Sequence, residues 1–262
     1  MKLKGIWKYI IAVLIFTLTT VMLAVLGHKA KAEYKEVTCS GIKVEIAEQD
    51  GLNFVTVGDV KEYIAGGYGN CSGKRLEEID LARIEEILDG KSAILKSEAY
   101  TTRDGILHII ITQRVPVVRL VSGRGGWYAD SEGYLFPLQK NYTSRVPIVD
   151  GSIPLNIKSG FKGMPATAAE RQWLGGILDL VDFLSRNRRW DDAIAQIHVN
   201  GNGHVIIVPR KGREKFYMGR PEEFEKKFAK IENYYRYIVP EKGQDAYSYV
   251  NVSFDGQIVC RK

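Results

Sequence analysis

Ile10 to Leu26, IIAVLIFTLTTVMLAVL, is a run of 17 residues without a charge, and no other feature of the chain restricts its architecture as much. Three threonines sit inside it. A helical threonine can return its hydroxyl to a carbonyl one turn earlier, so they are compatible with an apolar helix. With Ile6, Trp7 and Tyr9 added in front, a rise of about 1.5 Å per residue brings the helix close to the ~30 Å hydrocarbon layer of a bilayer. Trp7 and Tyr9 suit an interfacial aromatic belt, with Lys8 snorkelling beside them. The competing reading is a cleaved signal, because Ala30-Lys31-Ala32 is a small-residue cleavage pattern behind the basic Lys2, Lys4 and Lys8. The anchor is preferred: the apolar run is longer than a signal's core, and His28-Lys29 intervenes before the site. Both readings export the rest of the chain. Lys2, Lys4, Lys8 and the α-amino group on the short side, against Lys29, Lys31 and Lys35 beyond the helix, lean toward a cytoplasmic N-terminus. The expected layout is a tail over 1–9, a membrane helix over 10–27 and a polar linker over 28–36.

Composition narrows the possibilities for the exported part. The chain has 262 residues, 45% hydrophobic and 26% charged, which is ordinary for a globular protein. Its net charge of +6 is spread along the sequence, and a nucleic-acid binder would gather such charge into a patch. The three cysteines, Cys39, Cys71 and Cys260, form no CxxC pair, which argues against a zinc ribbon or a thioredoxin-type site. In an oxidising compartment Cys39 and Cys71 either pair or remain buried thiols, and the sequence leaves both open.

Two units come after the linker. From residue 37 to 115 the pattern is βααββ. Cys39–Ala47 alternates around Ile42, Val44 and Ile46. Thr56 with Asp59 reads as a capping box for a helix that stops at Gly66-Gly67. Asp80 caps a second helix with Leu81, Ile84, Ile87 and Leu88 on one face. Strands at Ala93–Thr101 and Ile106–Gln113 flank an Asp104-Gly105 turn. The expected core is Ile42, Val44, Leu81, Ile84, Leu88, Ile109 and Ile111. Residues 116–262 read as a mixed β-domain with two helices. Pro116 fits a strand edge or junction. Trp127–Phe136 reads as strand, turn, strand. Thr167 with Glu170 caps a long helix bearing Trp173, Leu174, Ile177, Leu178, Val181 and Leu184. Strands at Ala195–Val199 and His204–Pro209 surround Asn200-Gly201-Asn202-Gly203. Pro221 opens a helix with Phe224, Phe228 and Ile231. Strands at Tyr247–Phe254 and Gln257–Arg261 then close around Asp255-Gly256. In the first of these, Val250, Val252 and Phe254 share one face, and Tyr247, Tyr249, Asn251 and Ser253 the other. The fold class is α+β.

No catalytic constellation rises above noise. The chain lacks a phosphate loop followed by Lys-Ser/Thr, a GxSxG elbow and an HExxH helix. His198 and His204, flanking a turn, are read as strand-end histidines before metal ligands. Glu85, Glu86 and Asp89 sit opposite the apolar stripe of their helix, which reads as a solvated face before an acid–base pair. Gly123-Arg124-Gly125-Gly126 precedes a strand, so it reads as a turn and not a phosphate cradle. Asp191-Asp192 reads as a surface or capping pair. No catalytic residue, metal ligand or cofactor is therefore expected.

Four motifs in order carry a resemblance. Gln113-Arg114-Val115-Pro116-Val117-Val118 looks like E-R-x-P-V-A, and Tyr128–Pro137 is similar to a Y-L-V-D-x-x-G-x-V-F strand pair. Val146–Gly151 matches L-P-V-L-x-G, and Tyr249–Gly256 looks like a closing Y-V-D-L-R-Y and turn. Behind a lone membrane helix, this order resembles the bacterial division family FtsQ, also called DivIB. Gln113 stands for its usual Glu, Asn251 for Asp and Ser253 for Arg.

The resemblance implies a POTRA domain followed by the family's β-domain, and a non-enzymatic role in the divisome. The chain would hold FtsB- and FtsL-like bitopic partners and help control septal peptidoglycan synthesis, with no nucleic acid or small-molecule substrate. It would be a single-pass inner-membrane protein with periplasmic domains, its POTRA unit serving recruitment. The final strand is a candidate template for strand addition. The expected partner-binding residues are Tyr249, Asn251, Ser253, Phe254, Gln257, Ile258, Val259, Cys260 and Arg261. By resemblance, Phe254 falls where an aromatic residue meets FtsB, Val259 on the pairing strand, and Arg261 where some members place Trp. The alternatives are a POTRA-bearing export or outer-membrane assembly component, which would repeat the unit and end in a barrel, and an anchored cell-wall enzyme.

Overall fold

The computed structural model describes residues 13–26, 37–48, 51–139 and 142–262. The expected tail at 1–9, the start of the apolar run, the Ala30–Ala32 cleavage pattern and the linker lie outside the described residues. Residues 13–26 form helix α1, with apolar side chains such as Phe16 and Leu18 exposed. Thr17 donates its hydroxyl to Leu14 O at 3.0 Å, and Thr19 and Thr20 donate theirs to Phe16 O at 2.9 and 2.7 Å. The described helix extends only about 21 Å at the usual rise. Among the described residues no helix is long and apolar enough to cross a membrane.

Beyond it the described chain divides into two compact units, one of residues 37–48 and 55–113, the other of residues 51–54 and 114–262 without 140 and 141. The first unit contains β1 (Gly41–Ile46), α2 (Val57–Gly67), a 3₁₀ turn (Leu76–Glu78), α3 (Leu81–Asp89), β2 (Ile94–Thr101) and β3 (Ile106–Gln113). The sheet order is β1-β3-β2, with β1 parallel and β2 antiparallel to β3. Both helix starts are set locally. Thr56 Oγ1 accepts from Asp59 N at 3.2 Å while Asp59 Oδ2 accepts from Thr56 N at 2.8 Å, and Asp80 Oδ1 accepts from Arg83 N at 2.9 Å. Val60 and Ile64 of α2 and Ile84 and Leu88 of α3 bury their side chains, as do Leu107, Ile109 and Ile111 of β3. Ile42, Val44 and Leu81, expected in this core, are only half-buried. β1 is an edge strand covered from one side, and Leu81 is the first residue of its helix.

The carboxylates of α3 correct the solvated-face reading in part. Asp89 Oδ1 accepts from Ser97 N and Oγ, both at 2.7 Å, and Glu85 Oε1 accepts from Ala99 N at 2.7 Å. They therefore close the outer edge of β2, and Glu86 pairs with Arg83 in solvent.

The second unit adds β4 (Pro116–Ser122), β5 (Gly125–Asp130), β6 (Leu135–Pro137), β7 (Ile148–Gly151), α4 (Ala168–Arg186), α5 (Arg188–Asp191), β8 (Ile194–Val199), β9 (Val205–Pro209), β10 (Lys215–Gly219), α6 (Phe224–Asn233), a π turn (Tyr234–Ile238), α7 (Val239–Lys242), β11 (Tyr249–Asn251) and β12 (Val259–Arg261). Its nine strands run in the order β12-β11-β10-β9-β8-β7-β4-β5-β6. Thr167 and Glu170 form the expected capping box. Leu174, Ile177, Leu180, Val181 and Leu184 of α4 and Phe224, Phe228 and Ile231 of α6 cluster with Leu120, Val149, Val199, Ile207, Phe216 and Val250 of the sheet. Gly123-Arg124 turns β4 into β5, as a hairpin requires.

Three details differ from the expectation. β10 is a strand that the sequence pattern does not announce. α6 begins at Phe224 behind Glu223, which has φ 53°, so Pro221 precedes the helix instead of opening it. Asp191 ends the short α5 and the exposed Asp192 is its C-cap, in keeping with the surface or capping reading. β11 stops at Asn251, because Asn251 Oδ1 takes Ser253 N at 2.9 Å and turns the chain out of the strand. The alternation that puts Phe254 on one face with Val250 and Val252 therefore fails after Val252, and Phe254 is 48% exposed where the other two are buried. Pro116 opens β4 opposite Asp130, beyond the part of β4 that pairs with β7 from Arg119 onward, so its missing N–H removes no ladder bond there.

Candidate interaction surface

Among the described residues β12 is the last strand of the nine-stranded sheet and has β11 as its single neighbour. Its position is fixed by chain segments far apart in sequence. β10 and β11 pair in parallel, with Phe216 opposite Val250, and the crossover between them carries α6. β11 then turns back to β12 with Tyr249 opposite Arg261, Val250 opposite Cys260 and Asn251 opposite Val259. Period two divides β12 and the residue before it. Ile258 and Cys260 pack against the core cluster. Val259 and Arg261 are directed to the other face, where the Arg261 guanidinium lies 5.8 Å from the centre of the Tyr249 ring. Tyr249 continues to Tyr217 at 5.9 Å, and Tyr217 to His204 at 5.7 Å.

The other sheet edges are occupied or guarded. The carboxylates of α3 close β2. β6 exchanges two backbone bonds with Gly163, both 2.9 Å, through Leu135. β1 exposes Lys43 and Glu45 along its length, charges that discourage a second strand. β12 carries one charge, at its far end.

Beneath the hairpin the support is aromatic and acidic. Tyr235 donates its hydroxyl to Glu214 Oε1 at 2.7 Å, and Glu214 is 1% exposed. Burial, and then the Glu214 carboxylate, push the Tyr235 phenol far up. Burial pushes Tyr234 up to about 12, with Glu214, Cys260, Tyr247 and Asp245 adding to it. Burial also raises the Cys260 thiol, which makes it a poor nucleophile near neutrality. Lys230 Nζ donates to the carbonyls of Val252 and Phe254, holding the exposed loop onto α6. A groove of about 890 Å³ at the end of the hairpin is lined by Arg213, Lys242, Asp245, Tyr247, Ser248 and Lys262.

The nine residues expected to bind a partner thus fall in different settings. Val259 and Arg261 lie on the edge strand, with Tyr249 beside them. Phe254 and Gln257 are exposed in the connecting loop, and Ser253 is half-buried there. Ile258 and Cys260 point inward, and Asn251 is 9% exposed with its amide oxygen committed to Ser253. His198 and His204 take separate partners: His198 Nδ1 meets Asp150 Oδ1 at 2.7 Å, and His204 Nδ1 meets Tyr217 Oη. Sequence reasoning misses β10 and the basic groove. Lys215-Phe216-Tyr217-Met218-Gly219 alternates for too few residues to stand out, and Arg213, Lys242 and Lys262 are brought together by the fold alone.

Residues 115–261 match the family described as FtsQ/DivIB, C-terminal related. Residues 37–112 match the POTRA-like domain. The first match spans more than half of the chain, and the two together agree with the resemblance read from the motifs. No curated protein matches the chain.

Proposed function

Because this chain belongs to the FtsQ/DivIB family and so to the cell-division proteins, we propose that it is a non-enzymatic scaffold that holds an FtsB-like partner by strand addition to β12. An FtsL-like partner is held with it, and septal peptidoglycan synthesis is thereby controlled. The observation that carries this reading is the open outer edge of β12, in a molecule whose β2 and β6 edges are occupied. Strand addition supplies affinity through main-chain hydrogen bonds and specificity through alternate side chains. Val259, Arg261 and Tyr249 are on the face an added strand shares, and Phe254 stands exposed at the loop beside it. Arg213, Lys242, Lys262 and Arg261 around the hairpin favour a partner segment with acidic residues, chiefly by speeding encounter.

The chain is anchored in the inner membrane by the helix that contains α1, with the N-terminus cytoplasmic and both units periplasmic. The unbroken apolar run supports this, as do the threonine hydroxyls, which bond back within the helix and leave no unsatisfied donor toward lipid. The POTRA-like unit recruits the protein to the division site. Capturing the full chain from dividing cells and identifying its companions by mass spectrometry tests the scaffold role. FtsB- and FtsL-like bitopic proteins are expected. Their absence from a capture that retains the intact chain would overturn it.

A further inference from the structure

The two cysteines of the first unit occupy one local motif. Lys74 N donates to Cys71 O at 3.2 Å, closing a four-residue turn in which Gly73 has φ 82°. Gly73 N donates to Cys39 O and Cys39 N donates to Lys74 O, both at 2.8 Å. Two residues on one segment thus oppose Cys39 on the other, which is a β-bulge with glycine at the left-handed position. The clasp continues through an antiparallel bridge between Thr38 and Arg75 and a bond from Leu76 N to Val37 O at 3.0 Å. Cys39 therefore lies opposite the turn that Cys71 begins. Both are free thiols in this structure, Cys39 2% and Cys71 1% exposed, and Cys39 Sγ donates to Gly41 O at 3.5 Å.

We propose that Cys39 and Cys71 form a disulfide by thiol–disulfide exchange, stapling the approach to β1 onto the loop after α2. The enclosed segment, residues 39–71, contains β1 and all of α2. Burial raises the Cys71 thiol, and the next contribution comes from Cys39, consistent with two sulfurs whose ionised forms repel. In the exchange, local opening of the clasp exposes one thiol; its thiolate attacks the disulfide of an oxidant such as glutathione disulfide and releases one glutathione thiolate, which takes up a proton. The second protein thiolate then displaces the remaining glutathione. The protein loses two electrons and two protons, and glutathione disulfide becomes two glutathione thiols. Cys260 stands in the other unit and has no part in it.

The test uses the purified full chain in detergent, whatever its membrane topology or partners. Native protein is incubated with glutathione disulfide, quenched in acid, unfolded without reductant, alkylated and mapped by mass spectrometry. The expected product is one peptide joining Cys39 to Cys71, lighter by two hydrogens than the separate thiols. Cys260 is expected as a labelled thiol or a glutathione adduct. The same reaction in urea should give a mixture of pairings. Three unlinked cysteines in the native reaction, or the same mixture as in urea, would overturn the proposal. Oxidised wild-type chain should also melt at a higher temperature than its reduced form, a comparison that needs no variant to fold. Equal melting temperatures would count against a staple.

Discussion

Gly175 and Gly176 are neighbours in α4, and the structure gives them opposite responses to the same substitution. A Cβ added at Gly175 meets nothing within 4 Å, whereas one at Gly176 comes within 2.1 Å of Pro221 O and 3.0 Å of the Pro221 ring. In both variants the helix gains about 0.5–1 kcal/mol, because alanine loses less backbone freedom than glycine on folding. At Gly176 that gain is opposed. The obstacle is a backbone oxygen on the segment leading into α6, which cannot rotate away, so α4 and that segment must separate. Overpacking of this kind costs about 1–3 kcal/mol. Gly175→Ala should therefore stabilise the chain by about 0.5–1 kcal/mol. At Gly176 a 2.1 Å approach to a backbone oxygen puts the overpacking cost in the upper part of its range, about 2–3 kcal/mol, so Gly176→Ala should destabilise the chain by roughly 1–2.5 kcal/mol once the propensity gain is subtracted. Urea unfolding of the full chain, followed through Trp173 and Trp190 fluorescence, would show midpoints on opposite sides of the wild type. Equal stabilisation by both substitutions would refute the close approach of α4 to Pro221.

Asp130 accepts from Arg114 Nη1 at 2.9 Å and from the backbone N–H groups of Glu132 and Tyr134, and the ion pair is only about a tenth exposed. Asp130→Ala strands a buried guanidinium, so thermal melting should show a loss of about 3–5 kcal/mol; a loss below about 1 kcal/mol, the range of exposed pairs, would contradict that burial. Glu170 is held below the usual carboxylate range first by the N–H of Asn156 and then by Thr167. Its contribution is full above the unfolded glutamate value of about 4.3 and disappears as pH falls through the lower folded value. The stability deficit of Glu170→Gln should therefore be largest at neutral pH and shrink in acid; a deficit independent of pH would contradict this.

The range of each interaction decides how legible it is in the sequence. Thr56 with Asp59 and Thr167 with Glu170 announce their helices because a capping box closes within four residues. Asp104-Gly105 and Asn200–Gly203 mark hairpins for the same reason, and the family motifs carry the order of the two units. The strand β12 is legible from the Asp255-Gly256 turn before it, but its surroundings in the sheet are not. They depend on β10, a five-residue strand recruited in parallel across the α6 crossover. Glu85 and Asp89 read as solvated because helical periodicity places them opposite the apolar stripe. Their backbone partners lie on a strand that only tertiary packing brings alongside. Phe254 is expected on the face of Val250 and Val252 when period two is extended past Asn251, where a side-chain bond ends the strand.

Strand addition at β12 is tested most directly by the affinity of the full chain for its FtsB-like partner, measured for wild type and Cys260→Pro. Lys215 N donates to Ser248 O and Val252 N to Tyr217 O, so Tyr249 and Asn251 turn their backbone groups away from β10, toward Arg261 and Val259 of β12. The N–H of Cys260 is thereby directed to the outer side, and proline there removes a donor to an added strand at an edge position that tolerates it. Binding should weaken by at least roughly tenfold, about 1.4 kcal/mol, with the melting temperature little changed. Wild-type affinity in a normally folded Cys260→Pro chain would contradict strand addition at this edge.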